Sequence, residues 1–342
     1  MNLYRLLKFN NFVKNHRIKF FGLWLLSITN KRFLAVHLDP VLACNFRCKM
    51  CYFTDGDYVK KSMKGIMKPA DIEKIGSLLL KNALKLQIGC GAEPTLFKNN
   101  VDIVLEAKKH HVPYISMVTN GFLLTKTIIN NLVNAGLNEF IISMHGVTKK
   151  SYENFMEKGQ YDVFREVLQQ ISDQKQTHPK LKLRINYTFN EDNFQELDQF
   201  FTLFGHYKLD IIQLRPIDKI GESTYSNFSL KKIENIYPAI ATFMHRESAR
   251  RHITLLCPKT IVRDENVSLK VQSQNDSSYL MPFTYCYVSP NFWWKQDFDR
   301  QKDTFSQWKK RTNWNKTLFK NIFLSRAKLE QINRNMLNYD IV

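Results

Sequence analysis

Three cysteines lie close together near the start of this 342-residue chain. Their spacing, C-x3-C-x2-C, places Cys44, Cys48 and Cys51 on one short loop, where three sulfurs could bind one metal centre together. Tetrahedral zinc takes four ligands, usually as two separated pairs. A [4Fe–4S] cluster also has four irons, so three cysteines leave one iron open to a small chelating molecule. Structural zinc, inert thiols and an open iron–sulfur cluster are therefore the three interpretations of this spacing.

Small and polar residues follow the apolar segments further along the chain. The motif GAEPT at 91–95 follows the second such segment, TNG at 119–121 follows the third, and SMHG at 143–146 ends the fourth. Asn186 lies in the fifth segment, and QLRP at 213–216 ends the sixth. If the segments are parallel strands, these motifs lie at their carboxyl ends, where ligands gather in α/β sheets.

The cysteine loop and these motifs together resemble the radical S-adenosylmethionine (radical SAM) enzymes. The likeness covers about residues 34–219 and is greatest to maturase-like members that lack a complete auxiliary-cluster (SPASM-type) domain. It implies an enzyme, an iron–sulfur-dependent oxidoreductase or group transferase, with a [4Fe–4S] cluster and S-adenosylmethionine as cofactors. In that family the cluster cleaves S-adenosylmethionine reductively, and the resulting 5′-deoxyadenosyl radical abstracts hydrogen from a substrate.

The resemblance also implies roles for individual residues. Cys44, Cys48 and Cys51 are the expected catalytic cluster ligands. The expected cofactor-binding residues are Met50, Gly91, Ala92, Glu93, Thr119, Ser143, Arg165, Asn186 and Leu214. Ala92 departs from the family's second glycine, and Arg165 lies in a predicted helix rather than at a strand end. Simpler interpretations stay open for three residues: Glu93 as a turn residue, His145 as a loop residue rather than a substrate contact, and Cys90 as a small core residue.

The elements that position these residues follow from hydrophobic patterning. Apolar segments at 33–42, 84–90, 114–118, 139–144, 181–189 and 210–214 predict six strands, and helical patterns separate them. This alternation predicts an α/β fold, a partial (β/α)6 TIM-like barrel with a helical N-terminal extension and a mixed C-terminal appendage. The expected domains are a basic amphipathic extension at 1–33, a core barrel at 34–220 and an appendage at 221–342, where no strand alternation is evident.

Composition limits the remaining possibilities. A hydrophobic fraction of 44% supports a large core, and six cysteines are too few and too clustered for a disulfide scaffold. A reducing, cytoplasmic location is therefore expected. The formal charge is +19, and residues 1–35 hold seven Lys or Arg and no acid. The apolar run at 20–28 is too short to cross a bilayer, so it predicts either an interfacial helix or a helix packed on the main domain.

Substrate and partners are less constrained by the sequence. A peptide or protein is the first expectation, and a lipid-linked or envelope precursor is the alternative. A non-catalytic iron–sulfur scaffold is the second functional class. Expected partners are a flavodoxin- or ferredoxin-like electron donor, a peptide or small-molecule substrate, and an anionic membrane touched peripherally at its inner face; nucleic acid is disfavoured. Cys257 and Cys286 are too few for an auxiliary cluster, so we predict none, and a degenerate remnant of that domain stays open.

Overall fold

The computed structural model describes residues 12–218, 223, 225–258, 261, 278–295 and 297–331. Its strands are β1 (Leu34–Leu38), β2 (Arg47–Cys48), β3 (Ala83–Ile88), β4 (Ile115–Thr119), β5 (Glu139–Met144), β6 (Met156–Glu157), β7 (Lys182–Phe189), β8 (Ile211–Pro216), β9 (Thr254–Leu256) and β10 (Tyr285–Val288). Its helices are α1 (His16–Ile28), α2 (Gly56–Ser62), α3 (Pro69–Leu78), α4 (Asn100–Lys109), α5 (Lys126–Ala135), α6 (Lys149–Phe155), α7 (Tyr161–Thr177), α8 (Phe200–Phe204), α9 (Tyr237–Arg250), α10 (Met281–Thr284), α11 (Phe305–Arg311), α12 (Trp314–Asn321) and α13 (Arg326–Gln331).

Eight of the strands form one parallel sheet in the order β10-β1-β3-β4-β5-β7-β8-β9. The six predicted strands are all present in it, so the α/β prediction is confirmed. The arrangement is that of a partial TIM-like barrel. In the described part of the chain the barrel is not closed, because β10 and β9 each pair with a single neighbour. The short strands β2 and β6 form a separate antiparallel pair.

The two edge strands lie in the C-terminal region, which is mixed in secondary structure although its sequence shows no strand alternation. β9 continues the sheet beyond β8, and β10 pairs with β1. These strands are only three and four residues long, so neither is long enough to show an alternating pattern. The C-terminal region therefore completes both edges of the sheet rather than only flanking it.

Side-chain alternation gives the sheet two different faces. Apolar residues such as Val36, Leu86 and Ile142 are fully buried in the hydrophobic core on one face. Local signals fix the helices that cover this face. Pro69 opens α3, and the Asp71 carboxylate accepts the backbone N–H of Lys68, at 2.9 Å. The opposite face is lined by polar residues, as described below.

The N-terminal helix packs on the C-terminal helices. The Ser27 hydroxyl of α1 donates to Oδ1 of Asn315 on α12, at 2.7 Å. The buried Lys309 ammonium of α11 donates to the Ser27 carbonyl, at 2.8 Å. The predicted N-terminal extension (1–33) and the predicted C-terminal appendage (221–342) are therefore in direct contact. Among the described helices, none is both long and apolar enough to cross a membrane.

Candidate functional site

The three clustered cysteines lie on the loop that follows β1. Cys44 is in the loop itself, Cys48 ends β2, and Cys51 immediately precedes a 3₁₀ turn at Tyr52–Thr54. Pairing of β2 with β6 holds the middle of this loop, because Cys48 lies opposite Met156. The Arg47 guanidinium also donates to the Cys44 carbonyl, at 2.9 Å. All three thiols are free and only partly buried.

The thiols are close enough to influence one another electrostatically. Burial raises the pKa of Cys44 to about 12, and the nearby Glu93 and Cys51 add to this rise. The pKa of Cys48 lies well above its usual value, because of burial and then the charges of Cys44 and Cys51. Burial also raises the pKa of Cys51. Ionising three neighbouring thiols is costly without compensation, and iron ligation provides that compensation.

Other features of the loop also fit an iron–sulfur cluster. The backbone N–H of Phe46 donates to Sγ of Cys44, at 3.4 Å, which is a kind of contact that tunes cluster sulfurs. Nδ2 of Asn45 is buried without a hydrogen-bond partner in the described residues, so it is a donor available to an anionic group. Within the described chain, no three His, Cys, Asp or Glu side chains converge on one metal ion. A cube does not require such convergence, because its ligands bind separate iron corners.

Glu93 ties the cysteine loop to the ends of β3 and β4. Its carboxylate is buried and accepts hydrogen bonds from the Thr119 hydroxyl, at 2.6 Å, and the Asn120 backbone N–H, at 2.8 Å. Thr95 donates to it as well, through its backbone N–H at 3.1 Å and its hydroxyl at 2.5 Å. The Glu93 backbone N–H donates to the Ala43 carbonyl, at 2.9 Å. The predicted neighbours Glu93 and Thr119 are therefore brought together, in direct contact.

Asp39 has a similar position that the sequence analysis missed. It follows β1 directly, and its carboxylate accepts the backbone N–H groups of Cys90, at 2.7 Å, and Gly91, at 3.0 Å. The Tyr287 hydroxyl donates to it from β10, at 2.9 Å. Burial raises the pKa of Asp39, and these hydrogen bonds, with a further one from the Ala92 backbone, oppose the rise. An acidic residue followed by Pro40 inside the apolar segment at 33–42 was the available signal.

Gly91 and Ala92 thus lie on the loop whose backbone is held by Asp39. The Gly91 carbonyl accepts a hydrogen bond from the Tyr52 hydroxyl. A Cβ atom at position 91 would lie only 2.7 Å from that hydroxyl oxygen, so glycine is what allows Tyr52 to approach. Met50 lies on the cysteine loop between Cys48 and Cys51, and its side chain is buried in the core.

Ser143, Asn186 and Gln213 lie side by side on neighbouring strands. Ser143 of β5 pairs in register with Asn186 of β7, which pairs with Gln213 of β8. Arg184, two residues before Asn186, donates from Nε to Asn186 Oδ1, at 2.8 Å, and also bonds Gln213 Oε1. Sequence reasoning missed Arg184, although its place two residues from Asn186 puts it on the same strand face. Leu214 comes next along β8, and its side chain is fully buried on the other face.

Arg165 is the one expected cofactor residue that the structure does not bring to this edge of the sheet. It lies on α7, is solvent-exposed, and donates from Nε to the Tyr207 hydroxyl, at 3.3 Å. Only the resemblance implies a cofactor role for Arg165, and the contact that the structure gives its guanidinium is with Tyr207. We therefore leave Arg165 out of the proposed site.

Polar residues on the inner face of the sheet were also missed. Lys85 of β3 donates to Oε1 of Gln87, at 3.0 Å. Burial lowers the pKa of Lys85 to about 8, and the opposite charge of Glu139 partly offsets this effect. Cys90 is exposed on this side, 3.5 Å from the Tyr285 hydroxyl, so the prediction of a small core residue is wrong there. The alternation of apolar and polar residues in LKLQI at 84–88 was the sequence signal for a polar inner face. A strand that is covered by apolar layers on both faces would be apolar throughout.

His145 is buried at the end of β5 beside a cavity of about 300 Å³. Burial, and then the charge of Arg215, lower its pKa to about 3, so the imidazole is neutral. The cavity is also lined by Lys49, Lys150 and Tyr225. A second cavity of about 560 Å³, lined by Arg47, Lys49, Thr54, Glu157 and Tyr225, adjoins it through the shared Lys49 and Tyr225. Both therefore lie next to the cysteine loop.

Comparison with known families decides which group these features belong to. The profile of the radical SAM superfamily matches residues 39–203, which include the three cysteines and the Glu93 and Thr119 contacts. Residues 39–203, just under half of this chain, are therefore a radical SAM domain. Members of this superfamily use a [4Fe–4S] cluster and S-adenosylmethionine, and the donor set on the loop after β1 fits that cluster.

Relatives by sequence are proteins named probable GTP 3′,8-cyclase. The one from Metallosphaera sedula is 31% identical over 186 residues, which are 54% of this chain and 56% of that protein. The one from Saccharolobus solfataricus is 29% identical over 205 residues, or 58% of this chain and 63% of that protein. The similarity thus spans less than two thirds of the length of these relatives.

Solved radical SAM structures share the fold. Streptococcus suis SuiB bound to S-adenosylmethionine has a TM-score of 0.61 at 14% identity, covering 83% of this chain and 67% of that one. The structure of anSMEcpe with bound AdoMet has a TM-score of 0.56 at 17% identity, covering 85% of this chain and 84% of that one. At these identities the likeness is one of fold.

Cys257 and Cys286 lie at opposite edges of this fold. Cys257 follows β9 and is buried, with its sulfur 3.2 Å from the Tyr237 hydroxyl. Cys286 is fully buried on β10, opposite Val36 of β1. Each thiol is thus enclosed by its own edge strand and its neighbours.

Proposed function

We propose that this protein is a radical SAM enzyme that abstracts hydrogen from a peptide or protein substrate. The observation that carries the proposal is the group of three free thiols on the loop after β1, tied by hydrogen bonds to the loops after β3 and β4. When bound, a [4Fe–4S] cluster with S-adenosylmethionine supplies one-electron cleavage to a 5′-deoxyadenosyl radical. A flavodoxin- or ferredoxin-like protein of the cytoplasm is the proposed electron donor.

The chain's own residues have three tasks in this proposal. Cys44, Cys48 and Cys51 hold the cluster. Met50, Gly91, Ala92, Glu93 and Thr119 shape the wall beside it, with Glu93 and Thr119 acting through their mutual hydrogen bond. Ser143, Asn186 and the backbone of Leu214 contact S-adenosylmethionine from the neighbouring strand ends. Asp39 positions Gly91 and Ala92 by accepting their backbone N–H groups.

The two adjoining cavities support a chain-like substrate. The two cavities share Lys49, which lies between Cys48 and Met50 on the cysteine loop. Their lining includes both cations, such as Arg47 and Lys150, and anions, such as Glu157 and Asp192. Two adjoining cavities of mixed charge suit a peptide better than a compact, highly charged molecule. A lipid-linked or envelope precursor is the alternative substrate.

The names of the sequence relatives favour a second candidate, a purine nucleotide. The relatives are named for GTP 3′,8-cyclase activity, and Lys49 and Lys150 supply cations that a phosphate group could use. The matched residues leave almost half of this chain outside the similarity. We therefore rank the nucleotide second.

Anaerobic cleavage of S-adenosylmethionine tests the chemistry. Reconstituted protein reduced with dithionite should release 5′-deoxyadenosine, and the Cys48→Ala variant should not. A cofactor that stays intact at full cluster loading would instead indicate a non-catalytic scaffold. Stoichiometric zinc in colourless, anaerobically purified protein would contradict the proposal altogether.

A substrate screen separates the two candidates. The reduced enzyme is incubated with a library of short peptides, and mass spectrometry searches for peptides that have lost hydrogen. A parallel incubation with GTP follows its consumption by chromatography. Modified peptides with unchanged GTP support the proposal, whereas GTP-dependent 5′-deoxyadenosine formation with unmodified peptides would replace it with the nucleotide candidate.

A further inference from the structure

Helix α1 is apolar on two faces, and only one of them is buried. Phe20, Leu23 and Ser27 face the protein interior. Ile18, Phe21 and Leu25 lie on the opposite side, with 58%, 51% and 44% of their surfaces exposed. A helix that is apolar all round is normally enclosed on every side. The outer face of α1 is therefore a surface that lacks its usual cover in the described structure.

This outer face continues onto the C-terminal helices. The Phe21 ring lies 5.9 Å from that of Trp24, which lies 5.4 Å from the ring of Phe319 on α12. Phe319 in turn lies 5.4 Å from Phe323, and the two are 45% and 66% exposed. We call this continuous set, formed by Ile18, Phe21, Trp24, Leu25, Phe319 and Phe323, the α1–α12 surface. Its two halves come from opposite ends of the chain.

The α1–α12 surface is held together by buried contacts beneath it. The Ser27–Asn315 and Lys309–Ser27 hydrogen bonds join the helices, and His16 Nε2 lies 2.9 Å from the Leu324 carbonyl oxygen. Phe20 stacks on Tyr279, with ring centres 5.9 Å apart. The exposed aromatic residues therefore belong to a fixed platform, and binding a partner there does not require the helices to be ordered first.

Basic residues surround this platform. Lys14 and Arg17 lie at the start of α1, and the sequence from residue 12 to residue 35 contains no acid. On α12, exposed Lys316 and Lys320 flank Phe319. In a two-fold dimer built on this surface the same basic residues would face one another and repel. The charge pattern instead matches an anionic lipid bilayer, where aromatic and aliphatic side chains enter the interface and lysines contact phosphates.

We propose that the α1–α12 surface docks this protein on an anionic membrane. Phe21, Leu25, Phe319 and Phe323 enter the headgroup–acyl boundary, and Lys316 and Lys320 bind lipid phosphates. This inference does not depend on the proposed catalytic function. It also unites the two interpretations of the N-terminal segment, because one face of α1 packs on the protein and the other is available to lipid.

Vesicle flotation of the intact, cluster-loaded chain tests the proposal. Wild-type protein should float with phosphatidylcholine vesicles that contain phosphatidylglycerol and stay behind with phosphatidylcholine alone. Phe319→Ser with Phe323→Ser should reduce the bound fraction about tenfold, because two phenyl groups no longer leave water. Lys316→Glu with Lys320→Glu should reduce it by a similar factor, and raising the salt concentration should do the same to wild type.

Leu105→Ser is the matched control for flotation. Leu105 is also 51% exposed but lies on α4, so its replacement should leave flotation unchanged. Iron content and thermal melting verify that each variant is folded. Equal flotation of the wild type and the Phe319/Phe323 variant would overturn the proposal. Wild-type protein that does not float with anionic vesicles would overturn it too. Loss of a dimer, without a change in flotation, would show that the surface binds a second copy instead.

Tryptophan quenching gives an independent readout. Trp24 is partly exposed on the α1–α12 surface, whereas the other four tryptophans, Trp293, Trp294, Trp308 and Trp314, are buried. Lipids with brominated acyl chains should therefore quench wild-type fluorescence through Trp24. Trp24→Phe should abolish most of that quenching while flotation persists. Quenching that is unchanged in Trp24→Phe would place another region of the chain at the lipid and overturn the assignment.

Discussion

The two halves of the sheet differ in what their polar side chains bind. At β1, β3 and β4, the carboxylates of Asp39 and Glu93 accept hydrogen bonds from loop backbone groups. At β7 and β8, Asn186 and Gln213 are bonded by another side chain, that of Arg184. Backbone contacts fix the shape of a loop, whereas side-chain pairs can exchange partners with a ligand. In the proposed site, the first half therefore holds the cysteine loop and the second recognises what binds beside it.

The largest expected effect comes from the cysteines of the first half. Replacing Cys44, Cys48 or Cys51 with alanine should lower iron from about four per chain to near zero. Cleavage of S-adenosylmethionine should fall at least about a thousandfold, because the step needs the cluster. Iron analysis and chromatography of 5′-deoxyadenosine measure the two quantities.

Cys90→Ala is the matched control for these cysteine variants. Among the other cysteines, Cys90 is the nearest in sequence to the cysteine loop. The Cys90→Ala variant should keep the iron content of the wild type. Loss of iron in Cys90→Ala equal to that in Cys48→Ala would contradict the three-ligand assignment. About eight irons per wild-type chain would contradict the prediction that Cys257 and Cys286 bind no auxiliary cluster.

The next largest effect is expected for Glu93→Gln. The variant keeps the size of the side chain but replaces one of the accepting oxygens by an NH2 group that faces buried donors. The free energy of unfolding should fall by about 2 kcal/mol, measured by denaturant titration. Cluster loading should fall with it, because the Glu93 contacts fix the cysteine loop. Glu73→Gln on the exposed face of α3 should change neither quantity.

A smaller and more selective effect is expected in the second half. Asn186→Ala should raise the KM for S-adenosylmethionine about fivefold, because one hydrogen bond of about 1 kcal/mol is lost, while iron content stays normal. Arg165→Ala should leave KM unchanged, since that side chain is exposed on α7. A KM increase in Arg165→Ala as large as in Asn186→Ala would return Arg165 to the site.

The smallest effect is a pH dependence caused by Lys85 on the inner face. Its pKa is lowered from 10.5 to about 8 in the folded chain, so protonated Lys85 disfavours folding below that pH. As the pH rises from about 8 to about 10, the wild type should gain stability relative to Lys85→Met, which has no titrating group there. Denaturant titrations of both apoproteins over this range measure the difference. A constant difference would mean that Lys85 has an ordinary pKa.

Much of the first half was predictable because its motifs are compact in sequence. The cysteine spacing and the GAEPT segment each lie on one loop, and the structure joins them through Glu93. The predicted first strand ran to residue 42, but β1 ends at Leu38, because Asp39 bonds a neighbouring loop and Pro40 has no N–H for a ladder. The sequence does not single out Lys85 and Arg184, because their role depends on which side chains lie beside them on the inner face of the folded sheet.

The remaining differences arise from long-range pairing. β9 and β10 are too short to show an alternating pattern. In addition, β10 is distant in sequence from its partner β1. Arg165 was assigned by analogy of position, which carries no information about where a helix turns its side chains. Local chemistry was thus readable from the chain, whereas the edges of the sheet depend on contacts that no short window contains.

The pairing of β10 with β1 has a consequence for biosynthesis. β1 leaves the ribosome among the first elements of the barrel, but the strand that covers its outer edge is made more than two hundred residues later. Throughout that interval the strand next to the cysteine loop offers unpaired backbone groups to other chains. Nascent chains that stop before residue 285 should therefore aggregate more readily than the full chain.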